Sequence, residues 1–171
     1  MKTDPIRQSI EKATNYLRDH PKEARYMDSV ATARLVSGLR VRVEGPGGEH
    51  LETDMPPSVG GTGAAASSGW LFRAGLASCV ATLIAMRAAV RAIELSGLEV
   101  VADSESDDRG ILGIDDATPA GPLRIRLRVR ILSPRASEAE LKQVVEWGER
   151  HCPVSDAARR PVEVSVEIAT T

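Results

Sequence analysis

Rings are nearly missing from this chain: one Phe, two Trp and two Tyr make up 3% of 171 residues. A core with so few aromatics has to be filled by Val, Leu, Ile and Ala. Excess charge of either sign is missing too. Lys and Arg total 22 against 24 Asp and Glu, a net charge of −2, which removes the bulk electrostatic drive toward nucleic acid or an anionic membrane surface. The longest apolar run, Ala74 to Met86, lies between Arg73 and Arg87. It is shorter than the roughly 20 residues a membrane span needs, so it is expected to be a buried core helix. Met1-Lys-Thr-Asp-Pro5 lacks the basic-then-apolar order of a secretion signal, and a cytoplasmic protein is expected.

Several chemistries fail for want of residues. Two cysteines and three histidines show no finger or ribbon spacing, so no metal is expected. Gly61-Thr-Gly63-Ala-Ala-Ala66 imitates a dinucleotide loop, yet it follows Pro56-Pro57 rather than a strand, and no ribose-binding carboxylate stands about 20 residues later. No nucleotide cofactor is expected, and the glycines are read as a tight turn into a helix. The acidic series Asp103, Glu105, Asp107 lacks the glycine and final glutamate of a calcium loop, with Asp108 and Ile114 in their places. It is read instead as one carboxylate face of a strand, ion-paired with the arginines 124 to 130. No Gly-x-Ser-x-Gly elbow is present.

What is there fits one domain with a terminal appendage. Asp4-Pro5 opens an amphipathic helix to about Asp19, with Ile6, Ile10, Ala13 and Leu17 on one face. Residues 1–25 are expected to form this helical appendage, docked on a domain of residues 26–171. Strands are expected over Ser29–Val36, Leu39–Glu44 and Glu49–Asp54, the last two joined by the turn Gly45-Pro-Gly-Gly48. Met55 to Gly63 reads as irregular loop. One long helix is expected from Ser67 or Ser68 to Ser96, ended by Gly97. Its apolar middle is apolar on all sides, which marks an enclosed central helix. Strands follow at Leu98–Ser106 and Leu123–Leu132, then a helix from Glu138 to about Arg150 with a Ser137/Glu140 capping box, then a last strand Val162–Ile168. That order is α+β.

Cys79 and Cys152 stand 73 positions apart, the first in the apolar helix and the second where a helix stops. In a reducing compartment such a pair is more often catalytic or redox-sensing than structural. The alternative is two inert thiols that fill space as small hydrophobes.

The residues around both cysteines resemble the osmotically inducible protein C and organic hydroperoxide resistance family, OsmC/Ohr. The matching features are Asp54-Met-Pro, Gly60-Gly61, Leu71-Phe-Arg-Ala-Gly-Leu-Ala-Ser-Cys79, Ser106-Asp-Asp-Arg-Gly110, Cys152-Pro-Val-Ser155 and the closing alternation from Val162. The resemblance implies sheets wrapped around long central helices in an intertwined homodimer. It also implies a thiol peroxidase, with Cys79 attacking a hydroperoxide, Cys152 resolving the sulfenic acid, and an external dithiol reducing the disulfide. An arginine on an early strand would activate Cys79. Arg40 is the first candidate, with Arg34 and Arg42 beside it. The family anchors that arginine with a glutamate ten residues before the first cysteine, where this chain has Gly69. The other reading is therefore a non-peroxidatic dimer that binds a small hydrophobic ligand.

Overall fold

The computed structural model describes residues 4–170. They divide into two compact units, Glu11–Gly75 and a second built from the residues up to Ile10 together with those from Leu76 onward. The N-terminal helix α1 (Asp4–Asp19) has the expected bounds; none of its residues is fully buried, and Ile6, Arg7 and Ile10 are half-buried.

In the Glu11–Gly75 unit, β1 (Thr32–Ser37), β2 (Arg40–Glu44) and β3 (His50–Thr53) form an antiparallel meander in the order β1-β2-β3. The glycine-rich turn sets the β2–β3 register, pairing Arg42 with Glu52 and Glu44 with His50. All six residues of β1 are exposed, Leu35 at 69% and Val36 at 54%. After β3 the chain enters the expected loop, which does hold one regular turn, a 3-10 helix at Pro57–Val59.

Asp54, only 3% exposed, organises that loop. Its Oδ2 accepts from the Thr62 hydroxyl (2.5 Å) and from the N–H groups of Thr62 and Ala64 (3.1 Å each), and its Oδ1 accepts from the Met55 N–H at 2.8 Å. Led by the Thr62 hydroxyl, these donors lower the carboxyl from 3.8 to about 2 against the opposing pull of desolvation. A Cβ on Gly61 would fall 1.8 Å from the Met55 carbonyl oxygen. Backbone approach explains that glycine, as the sequence suggested, and nucleotide binding is not needed to account for it.

Helix α2 (Ser68–Val90) is capped by the Ser67 hydroxyl, which accepts from the Trp70 N–H at 3.2 Å. The helix meets the length and composition of a membrane span. Arg73 and Arg87, however, bracket 14 steps of helix, about 21 Å of rise, which is less than the roughly 30 Å of a hydrocarbon core. It ends earlier than expected. Ala92 takes a left-handed φ of 54°; its N–H donates to the Ala89 carbonyl (3.0 Å) and the Ile93 N–H to the Ala88 carbonyl (2.8 Å). This is a Schellman ending with an alanine in the glycine position, and Ile93, 7% exposed, supplies its apolar closing contact. Gly97, expected to end the helix, instead opens β4 (Gly97–Glu105).

Strand β4 pairs antiparallel with β5 (Arg124–Leu132). On their open face Asp103 accepts from Arg126 (2.9 Å) and Arg128 (2.5 Å), and Glu105 faces Arg124 at 4.0 Å. The expected ion-pair ladder is therefore present without Asp107. That residue caps the short helix α3 (Asp108–Ile111) and takes the Arg109 guanidinium, which leads in lowering its carboxyl to about 2.

The other face, with Ile125, Leu127, Val129 and Ile131, packs on the α2 stripe Leu76, Val80, Ile84 and Ala88. Helix α4 (Glu138–Arg150), with its capping box formed as expected, adds Val144 to this core. It approaches α2 closely, since a Cβ on Gly148 would lie 2.6 Å from Ile84 Cγ1 and 2.8 Å from the Ile84 N. The core covers one stripe of α2, whereas the sequence had suggested a helix enclosed on every side. A further helix that the sequence did not announce, α5 (Pro153–Arg159), begins immediately after Cys152. Residues 162–168 form no strand here. Val162, Val164, Val166 and Ile168 alternate as expected but stand 50 to 83% exposed. Alternation gives a strand its two faces, but a ladder also needs a partner edge, and this segment has none within the described chain.

Candidate active site

Cys152 is fixed by its neighbours in sequence. Pro153 presets the first helical φ of α5, which makes Cys152 the residue before the helix. The Ser155 N–H donates to Cys152 Sγ at 3.4 Å, and the Asp156 N–H donates to the Cys152 carbonyl at 2.9 Å. The side chain is fully buried in the core with Leu76, Val80 and Val144. Cys79, one turn beyond Leu76 on α2, is half-buried and packs against the same core.

Both cysteines are free thiols packed on the same core cluster, and the Cys79 sulfur lies near enough to influence the protonation of Cys152. Burial pushes the Cys152 thiol up, the Cys79 sulfur beside it pushes the same way, and the Ser155 and Val154 N–H groups only partly offset this. Cys152 is thus held with its proton on. The sequence placed it where a helix stops. It also caps the next helix, and the unrecognised signal was Cys-Pro followed by Ser three residues on, a capping pattern with sulfur in place of oxygen.

A second layer fastens this turn. Glu149, in the last turn of α4, accepts on one oxygen, Oε1, from the Ser155 hydroxyl (2.6 Å) and the Arg159 guanidinium (2.5 Å). Ser155 is 5% exposed. Glu149, Ser155 and Arg159 also border a cavity of about 560 Å³, whose apolar side includes Leu76, Leu123 and Leu127 and which Arg124 also lines. Sequence reasoning singled out neither Glu149 nor Arg159. His151, next to Cys152 in sequence, directs its Nδ1 to the Trp147 carbonyl (2.8 Å) and stacks on the Trp147 ring at 4.1 Å.

The candidate arginines lie in the Glu11–Gly75 unit. Arg40 donates through Nε (2.8 Å) and Nη2 to Glu52 Oε2, while Arg34 and Arg42 both engage Glu44 (3.1 and 2.8 Å). Arg40 therefore has a carboxylate anchor even though Gly69 cannot supply one. Glu52 was missed because the pair is diagonal across β2 and β3, legible only once the register is known.

The model of the family described as OsmC-like protein matches residues 61–167. An organic hydroperoxide resistance protein, OsmC, of Legionella pneumophila is 26% identical, with a TM-score of 0.60 over 79% of this chain and 91% of that one. An organic hydroperoxide resistance protein of Elizabethkingia anophelis is 22% identical, with a TM-score of 0.60 over 79% and 90% of the two chains. An OsmC-like protein of Mycoplasma pneumoniae, 18% identical, reaches 0.62 over 79% and 88%. No curated protein matches the chain. The matched region holds both cysteines and every element from α2 to α5, and the mixed α+β architecture is the one these structures share. The chain belongs to the OsmC-like protein family.

Proposed function

We propose that this protein is a cytoplasmic, homodimeric thiol peroxidase that reduces organic hydroperoxides through Cys79 and Cys152. The observation that carries the reading is the contact between the only two cysteines of the chain. The Cys79 thiolate attacks the O–O bond of ROOH, taking one oxygen as Cys79–SOH and releasing ROH once the alkoxide is protonated. The Cys152 sulfur then attacks the sulfenic sulfur, the disulfide forms, and its proton leaves with the hydroxide as water. An external dithiol returns both thiols and becomes a disulfide. Arg40, held by Glu52, is the cation we assign to favour the Cys79 thiolate. Similarity to hydroperoxide resistance proteins supports the substrate class. Residues 26–171 form the reacting domain and residues 1–25 an appendage to it.

The test is mass spectrometry of the reduced protein before and after one equivalent of an organic hydroperoxide. Loss of two thiols per chain, with no higher oligomers, is the expected result; an unchanged thiol count sinks the reading. One observation favours a second reading: the 560 Å³ cavity, apolar on one side and lined on the other by Arg124, Arg159 and Glu149, suits a small ligand with an apolar body. Saturable binding of such a ligand, in a protein whose thiols ignore peroxide, would put that reading ahead.

A further inference from the structure

Cys152 has to do two things in the proposed cycle. It must stay in reach of Cys79, and it must keep its sulfur turned toward the site where the sulfenic acid forms. Its own side chain has a single rotatable bond, and besides core packing and the Val154 N–H its sulfur is held by the Ser155 N–H. That N–H is only as well placed as the first turn of α5, a helix of seven residues. A helix that short does not hold itself in water. Among the described residues, the hydrogen bonds and ion pairs that tie the side chains of α5 to α4 converge on one atom, Glu149 Oε1. Ser155 and Arg159 are four residues apart, so both donors lie on the same face of α5 and are taken up together. The Ser155 end of this bond is buried while the Glu149 carboxylate stays 24% exposed, and a hydrogen bond to a carboxylate is stronger than one between neutral groups.

We infer that Glu149 is the positioning residue for the resolving cysteine: its carboxylate pins α5 through Ser155 and Arg159, and so fixes Cys152 for disulfide closure with Cys79. The inference rests on the thiol–disulfide reading proposed above. Glu149 itself touches no reacting atom. Its effect is on the competition that follows the first step. Cys79–SOH either meets the Cys152 sulfur, releasing water, or meets a second ROOH and goes on to sulfinic acid with release of ROH. Holding Cys152 in place favours the first outcome.

The test uses the full chain, Glu149→Ala, Glu149→Gln and Ser155→Ala, each first checked for native circular dichroism. One arm measures alkylation of Cys152 by iodoacetamide in the reduced protein, resolved from Cys79 by peptide mass. The second measures the partition between disulfide and Cys79 sulfinic acid, counted only on chains that have reacted, over a titration with an organic hydroperoxide. Losing a part-buried, charge-assisted bond should raise local opening about tenfold. Glu149→Ala is therefore expected to alkylate about ten times faster at Cys152 and to divert several-fold more chains to sulfinic acid. Ser155→Ala should move both readouts the same way. Glu149→Gln keeps an acceptor for Ser155 but loses the charge that holds Arg159, and should fall between the wild type and Glu149→Ala in both.

A role confined to overall stability would lower the melting temperature without changing the partition. Wild-type partition in both alanine variants overturns the inference, as does a Glu149→Gln variant that departs further from the wild type than Glu149→Ala. If Glu149→Ala does not fold, Ser155→Ala alone decides. If the wild type forms no disulfide although the alanine variants still expose Cys152, the thiol–disulfide reading fails and with it the catalytic half of the inference. The pin itself would then be supported.

Discussion

The two cysteines are chemically alike and differently placed, and the difference assigns their proposed roles. Cys79 is half-buried on a helix held along one stripe by the core, where an incoming peroxide can reach it. Cys152 is buried, and its proton is held by burial and by the neighbouring sulfur. Cys152→Ser should react once with peroxide and then stop at sulfenic acid or over-oxidise, whereas Cys79→Ser should not react. Trapping with a sulfenic-acid reagent checks this, and equal peroxide consumption by the two variants would reverse or void the assignment. Arg40→Ala should slow the first step by at least about tenfold if its charge favours the thiolate; an unchanged rate would return the role to another group.

A second residue-scale prediction concerns Asp54. Its folded carboxyl lies at about 2, below the usual 3.8. The stability this contributes is complete above 3.8 and is lost as the pH falls from there toward 2. Asp54→Asn should be less stable than the wild type at neutral pH, and the gap should close in that window. Urea midpoints measured across the range would show it, and parallel curves would count against it.

At the scale of elements, two positions record how tightly α2 is constrained. Ala92 adopts a left-handed conformation that costs an L-residue about 1 kcal/mol and glycine very little. Ala92→Gly should raise the unfolding free energy by about 1 kcal/mol, measured in urea; a loss of stability would mean that the alanine methyl makes contacts worth more than the strain. Gly148→Ala should act in the opposite direction. Its new methyl would press on the Ile84 backbone, which cannot rotate away as a side-chain tip could. A loss of at least about 2 kcal/mol is expected from such overpacking, and an unchanged midpoint would show that α4 can slide on α2 at no cost. Most elements were legible in the sequence because they rest on local signals: alternation for β4 and β5, a capping box for α4, Asp-Pro for α1. The misplaced end of α2 follows from the same reasoning. Gly97 is the obvious stop, but Ile93 gains a place in the core only if the helix ends before it, and the value of that burial is not a local property.

For the whole molecule, what remains uncovered is informative. The core holds one stripe of α2, β1 is exposed along its length, and residues 162–168 offer an alternating apolar edge with nothing against it. Single exposed hydrophobics are ordinary, but extended rows of them point to an interface. A homodimer that persists on dilution is the expected outcome, and deleting residues 161–171 should weaken it. Light scattering giving 18.3 kDa, the mass of one chain, at micromolar concentration would contradict this.

Composition, periodicity and caps by themselves determined the α+β class, the ion-paired arginine face, the extent of α1, β5 and α4, and the two motifs that hold the cysteines. Each depends on neighbours within a few residues, where stereochemistry and burial period suffice. The tertiary structure alone decided that the two sulfurs lie near each other, that Cys152 caps a second helix where the first stops, that Glu52 anchors Arg40 where Gly69 cannot, and that Glu149 ties α5 to α4. These are contacts across strands, or between a helix end and the helix that follows it. Their partners are chosen by register and by the path of the chain through space, and a linear pattern of residue types contains neither.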